Sequence, residues 1–130
     1  MSTLGFGLVR LRDLVHDNDE LSKSHSYMEA NVRRLERAFR LEGCNRFEKE
    51  NWVQVAIERS SWDQIASKHG LQSQQDCPKA ESDWTLLDVH RPLQILHGRH
   101  RLVAAERFFR YSTRKEWFWT VEFLDTTGMS

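Results

Sequence analysis

The sequence predicts a small α+β domain with its elements in the order β-α-β-(α)-β-α-β, and three observations carry this. Trp117, Trp119, Val121 and Phe123 alternate with Phe118, Thr120 and Glu122, the period-two pattern of a strand. Met28, Val32, Leu35 and Phe39 step by four, three and four, which places apolar side chains on one face of a helix. Across Gly98 the apolar period changes from two to that of a helix, so a strand passes directly into a helix there. With 130 residues the chain is the size of one domain, and its five Trp and seven Phe suffice to fill a single core.

The elements follow in chain order. Phe6, Leu8, Val9 and Leu11 are near enough to alternation to predict a first strand over Gly5–Leu11. The polar, acidic stretch from His16 to His25 reads as a connecting loop. Ser26-x-x-Glu29 then has the form of a capping box, opening a helix over Tyr27–Glu42 that Gly43 closes. On its outer surface Arg33, Arg34, Arg37 and Arg40 stand beside Glu29, Glu36 and Glu42, so pairs at i,i+3 and i,i+4 account for several of these charges. Trp52, Val53, Val55, Ala56 and Ile57 form a run rich in β-formers and predict the second strand.

Ser60 or Ser61 is placed to cap a brief helix carrying Trp62, Ile65 and Ala66, with Gly70 just past its end. Residues 71–85 are polar, contain Pro78 and offer almost nothing to bury, so they read as a long loop. Leu93, Ile95 and Leu96 predict the third strand, which Pro92 limits upstream. Leu102, Ala105, Phe108 and Phe109 share a face of a helix over Arg99–Tyr111, and the alternating Trp117–Phe123 segment closes the domain. Most of the tryptophans belong to this core by position, Trp84 in the loop being the least committed.

Several function classes find no support. No stretch has the roughly 18 to 20 consecutive apolar residues of a membrane span, and the first twelve residues lack the pattern of a secretory signal, so no membrane association and an intracellular setting, nuclear or cytoplasmic, are expected. Cys44 and Cys77 have no Cys-x-x-Cys partner and read as thiols, and neither is obliged by its spacing to pair with His100 as a nucleophile. His97-x-x-His100, even joined by His90 or Cys77, leaves a metal short of its fourth ligand and beside two repelling arginines, so no metal is expected. Asp88 and Glu106 form no recognised carboxylate pair, and no catalytic residue is assigned.

The net charge is zero, yet from His97 to Lys115 six arginines and lysines face a lone Glu106. Within that stretch the turn Gly98-Arg99-His100-Arg101 has the chemistry of a phosphate site. A helix that starts straight after a strand presents its first N–H groups outward, where the macrodipole favours an anion. Gly98 permits close approach, Arg99 and Arg101 add guanidinium forks, and His97 and His100 add donors whose charge changes near neutral pH. Arginines in a helix's first turn oppose the dipole unless an anion compensates, and such local conflicts are expected at functional sites. The alternative is a plain turn glycine followed by a solvated first turn.

The string Leu96-His-Gly-Arg-His-Arg-Leu-Val-Ala-Ala105, after an apolar strand and before Trp119-Thr-Val-Glu-Phe123, resembles the Gly-x-(His/Arg)-Arg-x-x-Ala-Ala signature of the ParB and sulfiredoxin superfamily. The segment Leu35–Ile57, with Phe39-Arg-Leu-Glu-Gly-Cys-Asn-Arg46, is more narrowly similar to a fungal family of unknown function whose members contain a ParB-like domain. The resemblance implies a small single domain over residues 1–130, a mixed sheet with a few packed helices, holding nucleotide phosphates at Gly98, Arg99, His100 and Arg101. It implies a nucleoside triphosphate as the candidate cofactor and adds Arg46, ahead of the second strand, as a further phosphate contact. Surface solvation is the other reading of Arg46.

Arg99 stands where sulfiredoxins have a reactive cysteine and ParB proteins a glutamate, so sulfiredoxin chemistry is not expected. The chain also stops where ParB proteins continue into a helical DNA-binding region, and the fungal relatives are usually longer, some of them associated with mobile elements. A fragment of a longer family member is therefore one expectation. The functional expectation is a module binding a nucleotide or nucleic-acid phosphate, and the alternative is a non-catalytic protein-interaction module or a truncated remnant of a mobile-element-associated protein.

Overall fold

The computed structural model describes residues 2–15, 25–72, 76–89, 92–111 and 117–126. Its elements are β1 (Thr3–Arg10), β2 (Leu14–Val15), α1 (His25–Glu42), β3 (Val53–Ile57), α2 (Arg59–Lys68), β4 (Leu93–His97), α3 (Arg99–Phe108) and β5 (Phe118–Asp125). The five strands form one mixed sheet in the order β1-β5-β3-β4-β2. β5 lies antiparallel to β1 and parallel to β3, β3 is antiparallel to β4, and β4 is parallel to β2. This is the α+β single-domain architecture that the periodicities predict.

β5 lies between β1 and β3, and its alternation splits a fully buried set on one face, Trp119, Val121 and Phe123, from the other, where Thr120 is buried and Phe118 and Glu122 are half-buried. Trp119, Val121 and Phe123 join Val53, Val55 and Ile57 of β3 in the main core. The three helices cover that face: Phe39 of α1 lies 5.7 Å from Trp119, Trp62 of α2 lies 4.9 Å from Phe123, and Leu102 and Ala105 of α3 are buried among them. The opposite face carries a second cluster of Phe6, Leu8 and Trp84, with Phe47, Trp52 and Phe118 packed against it. Trp84 meets Phe6 and Trp52 edge to face at 5.9 and 5.3 Å, the geometry that the ring quadrupole favours.

That cluster gives residues 71–85, read as a loop with almost nothing to bury, a definite core residue in Trp84. A 3₁₀ turn at Glu81–Asp83 aims Trp84 into the sheet, and Leu8 both donates to the Thr85 carbonyl and accepts from the Leu87 amide, each at 2.8 Å. The segment thus lines the outer edge of β1, where a strand's unpaired backbone groups need partners. Gly7 permits this: a Cβ there would lie 2.3 Å from Leu87 Cδ1. Arg10 and Lys68 both approach Asp88, at 2.8 and 3.8 Å, joining β1 and α2 to the same segment.

Other differences concern element ends. β2 escapes the sequence pattern because two residues are too short to alternate; it exists only because Leu14 and Val15 pair with Leu93 and Gln94. α1 already includes His25, so Ser26 lies inside the helix, its side chain outside the described residues, and Glu29 turns instead to Arg107. α2 starts at Arg59 with Glu58 as its cap, two residues before the first of the serines expected to cap it, and no side chain caps it. α3 ends at Phe108 and tightens into a 3₁₀ turn over Phe109–Tyr111. Met28 and His90 fall outside the residues whose side chains are described.

Candidate functional site

The predicted turn is formed as the strand-to-helix junction that the sequence implies. β4 ends at His97, Gly98 takes the left-handed conformation with φ 104°, and α3 starts at Arg99. Two constraints converge on glycine here. Its φ is one that side chains disfavour, and a Cβ would stand 2.8 Å from Val53 Cγ2 and 3.4 Å from Val53 Cα. The junction therefore presses against β3, and that contact fixes where the helix points.

The first backbone bond of α3 runs from the Leu102 amide to the Gly98 carbonyl at 3.2 Å. The amides of His100 and Arg101 precede that ladder, Gly98 supplies no capping side chain, and the first turn contains no acidic residue. Arg99, His100 and Arg101 are all half-buried, so the segment is neither sealed against its own chain nor fully in water. The Arg101 side chain makes no hydrogen bond or ion pair among the described residues.

His100 has a defined role in this arrangement. Its Nδ1 accepts from Asn31 Nδ2 of α1 at 2.5 Å, while Asn31 Oδ1 accepts from Arg34 Nη2 at 2.8 Å and Nε at 3.2 Å. Burial, and then the charge of Arg99, hold the imidazole below its ordinary pKa of 6.5. With Nδ1 accepting from an amide nitrogen that can only donate, the ring carries its proton on Nε2 and is a donor there. The same relay brings Arg34 to the turn. Sequence spacing assigned Arg34 to helix-surface pairing, and the contact with His100 spans 69 residues from Asn31, which no local pattern reveals.

Arg46 is not brought to the turn. Its guanidinium lies 3.9 Å from the centre of the Phe118 ring and 5.1 Å from that of Phe109, and Nη1 donates to the Phe118 carbonyl at 3.1 Å. Phe109 follows the far end of α3, ten residues from Arg99, which is about 15 Å along a helix. The backbone carbonyl of Arg46 accepts from the buried Thr120 hydroxyl. The residue clamps the end of α3 to β5 because an arginine can stack on two rings while its fork still finds a carbonyl.

Arg101 also lines a cleft of about 230 Å³ with Trp52, Gln54, His97 and Glu122. Gln54 pairs in register with His97 on one side and Glu122 on the other, so the three form a row across β4, β3 and β5. Glu122 accepts from Gln54 Nε2 at 2.9 Å and from Thr3 Oγ1 at 2.7 Å. Lys49 and Glu50 complete the rim. Of these partners only His97 was singled out as a site residue from the sequence. They come from four separate segments, and the signal available, a polar residue at alternate positions of β3 and β5, is shared by any solvated sheet face.

The carboxylates and thiols considered in the sequence stand elsewhere. Asp88 is held by Arg10, whose hydrogen bond keeps the carboxyl below its usual range, and Glu106 is exposed on α3. Cys44 packs beside the main core and Cys77 is exposed. Among the described residues no three His, Cys, Asp or Glu side chains gather as a metal would require, and no helix is long and apolar enough to cross a membrane.

Against known proteins, a family model described as "Protein of unknown function (DUF3723) N-terminal domain" matches residues 4–128. No curated protein and no solved structure matches the chain.

Proposed function

We propose that this chain, which belongs to the family of DUF3723 N-terminal domains, is a phosphate-binding module that takes a nucleotide or a nucleic-acid phosphate at the Gly98–Arg101 turn. The observation that carries this reading is the uncapped start of α3. The amides of His100 and Arg101 lie ahead of the helix ladder, and the Arg101 side chain has no partner among the described residues. Backbone donors, the positive end of the macrodipole and a guanidinium fork together suit a phosphate. The neutral His100 contributes a donor at Nε2, and Arg34, held through Asn31, adds positive charge beside it.

Such a site needs no acid–base machinery, and binding is the whole of the proposal. The nuclear or cytoplasmic setting expected from the sequence belongs to it, because nucleotides and nucleic acids abound there. Titration with a nucleoside triphosphate and with a short DNA duplex at low salt tests it. Binding should weaken at least tenfold in Arg101→Ala, given that a charged hydrogen bond contributes about 1.5–3 kcal/mol. It should also weaken steeply with added salt. Absence of binding by both ligands at low salt overturns the reading.

A further inference from the structure

The cleft beside Arg101 has an unusual balance of charge. Lys49 and Arg101 supply two cations and Glu50 and Glu122 two carboxylates around about 230 Å³. Among the described residues the side chains of Lys49, Glu50, His97 and Arg101 nevertheless make no ion pair or hydrogen bond. Opposite charges that line one cleft without closing on each other leave acceptors and donors facing the space between them.

The one carboxylate already engaged, Glu122, is held by two neutral donors, Gln54 and Thr3. Each carboxylate oxygen has a second lone pair, so Glu122 is oriented by these bonds and still able to accept. Trp52 forms one wall, its indole fixed by donation to the Phe47 carbonyl at 3.0 Å and by edge contacts with Phe6 and Trp84.

We infer that this cleft seats the sugar ring of a sugar phosphate whose phosphate occupies the α3 turn, Arg101 being common to both. The inference rests on the phosphate reading of the turn and deepens it. Three features select the ligand. Liquid water takes about 30 Å³ per molecule, so the cleft holds the volume of some seven or eight waters, a single substituted ring and less than the roughly 300 Å³ at which ordinary ligand pockets begin. Its formal charge balances, which favours a neutral polyol over an ammonium group that two carboxylates alone would attract. Hydroxyls both donate and accept, matching Glu122 and Glu50 on one side and Lys49 and Gln54 on the other, while ring C–H groups suit the indole.

Calorimetric titration of the full chain with inorganic phosphate, ribose, ribose 5-phosphate and adenosine 5′-monophosphate tests this. Ribose 5-phosphate should bind about tenfold or more tighter than inorganic phosphate, the effect of one or two additional hydrogen bonds. Glu122→Gln should erase that advantage and leave phosphate itself unaffected. Glu50→Gln, at an exposed position where folding is not at stake, should reduce the advantage in the same direction. Comparison of the monophosphate with ribose 5-phosphate separates a nucleotide from a free sugar phosphate as the source of the ring.

Equal affinity for phosphate and its sugar ester, or an advantage that survives both substitutions, overturns the cleft assignment while the turn stands. Ribose binding as well as ribose 5-phosphate would instead overturn the turn and, with it, the sugar phosphate. Failure of all four ligands to bind overturns both.

Discussion

Asn31 of α1 donates to Nδ1 of His100 across 2.5 Å, and its own carbonyl oxygen is held by Arg34, so the amide cannot reverse to accept a proton from the ring. This favours the neutral form of His100 and ties the start of α3 to α1. A protonated imidazole would set N–H against N–H in a half-buried place, and burial, then the charge of Arg99, hold the ring's pKa below 6.5 in the fold.

The consequence for stability has a definite sign. The unfolded chain takes up a proton at His100 near 6.5, whereas the folded chain resists until lower pH. The stabilisation is therefore complete above 6.5 and is lost as pH falls from there through the lower folded value. Urea unfolding over that range should show wild-type stability declining more steeply on acidification than that of His100→Gln. Parallel slopes would contradict the neutral assignment.

A second window lies at lower pH. Arg107 binds both carboxylate oxygens of Glu29, at 2.7 and 2.8 Å, and chiefly through this hydrogen bonding lowers the Glu29 pKa from 4.5 to about 2. Its contribution is present above 4.5 and disappears as pH falls from 4.5 toward 2. Circular dichroism during acid titration should find Arg107→Leu less sensitive across this interval than the wild type. An unchanged acid transition would show that the α1–α3 clamp contributes nothing.

Gly98 and Gly70 make a matched pair of substitutions. Both have positive φ, 104° and 69°, but a Cβ meets Val53 at the first and open space at the second. Alanine at either position carries backbone strain of about 1–3 kcal/mol. Only Gly98→Ala adds overpacking, about 1–3 kcal/mol more. Denaturant melts should therefore rank Gly98→Ala as the less stable variant, and equal losses would deny the close approach of the turn to β3.

Arg46 separates structure from binding. Removing its two ring contacts and the bond to the Phe118 carbonyl in Arg46→Ala should cost about 1–3 kcal/mol of stability. Phosphate affinity, measured on the folded variant, should stay within about twofold of wild type, well inside the tenfold that one 1.4 kcal/mol contact represents. A parallel loss of affinity would return Arg46 to the site.

Much of the fold was legible because its signals are local. The alternation of β5, the apolar stripe of α1 and the change of period at Gly98 each arise within one segment and survive in the tertiary structure with ends shifted by one or two residues. The segment around Trp84 was not legible. Its single tryptophan has no periodic company, and its burial depends on Phe6, Phe47 and Trp52, which come from three other parts of the chain. β2 failed for the same reason, since two residues become a strand only when a partner is placed beside them.

The turn at Gly98–Arg101 shows where this division falls. Sequence alone determined its backbone and its charge, because a strand, a glycine and a helix start are successive in the chain and the arginines are part of the same string. Which groups surround it was decided by the packing of α1, β3 and β5. That packing brought in Asn31, Arg34, Gln54 and Glu122 and left Arg46 at the far end of α3. Side-chain neighbours depend on how amphipathic faces meet in space, and sequence separations of about 70 residues leave no periodic trace of such meetings.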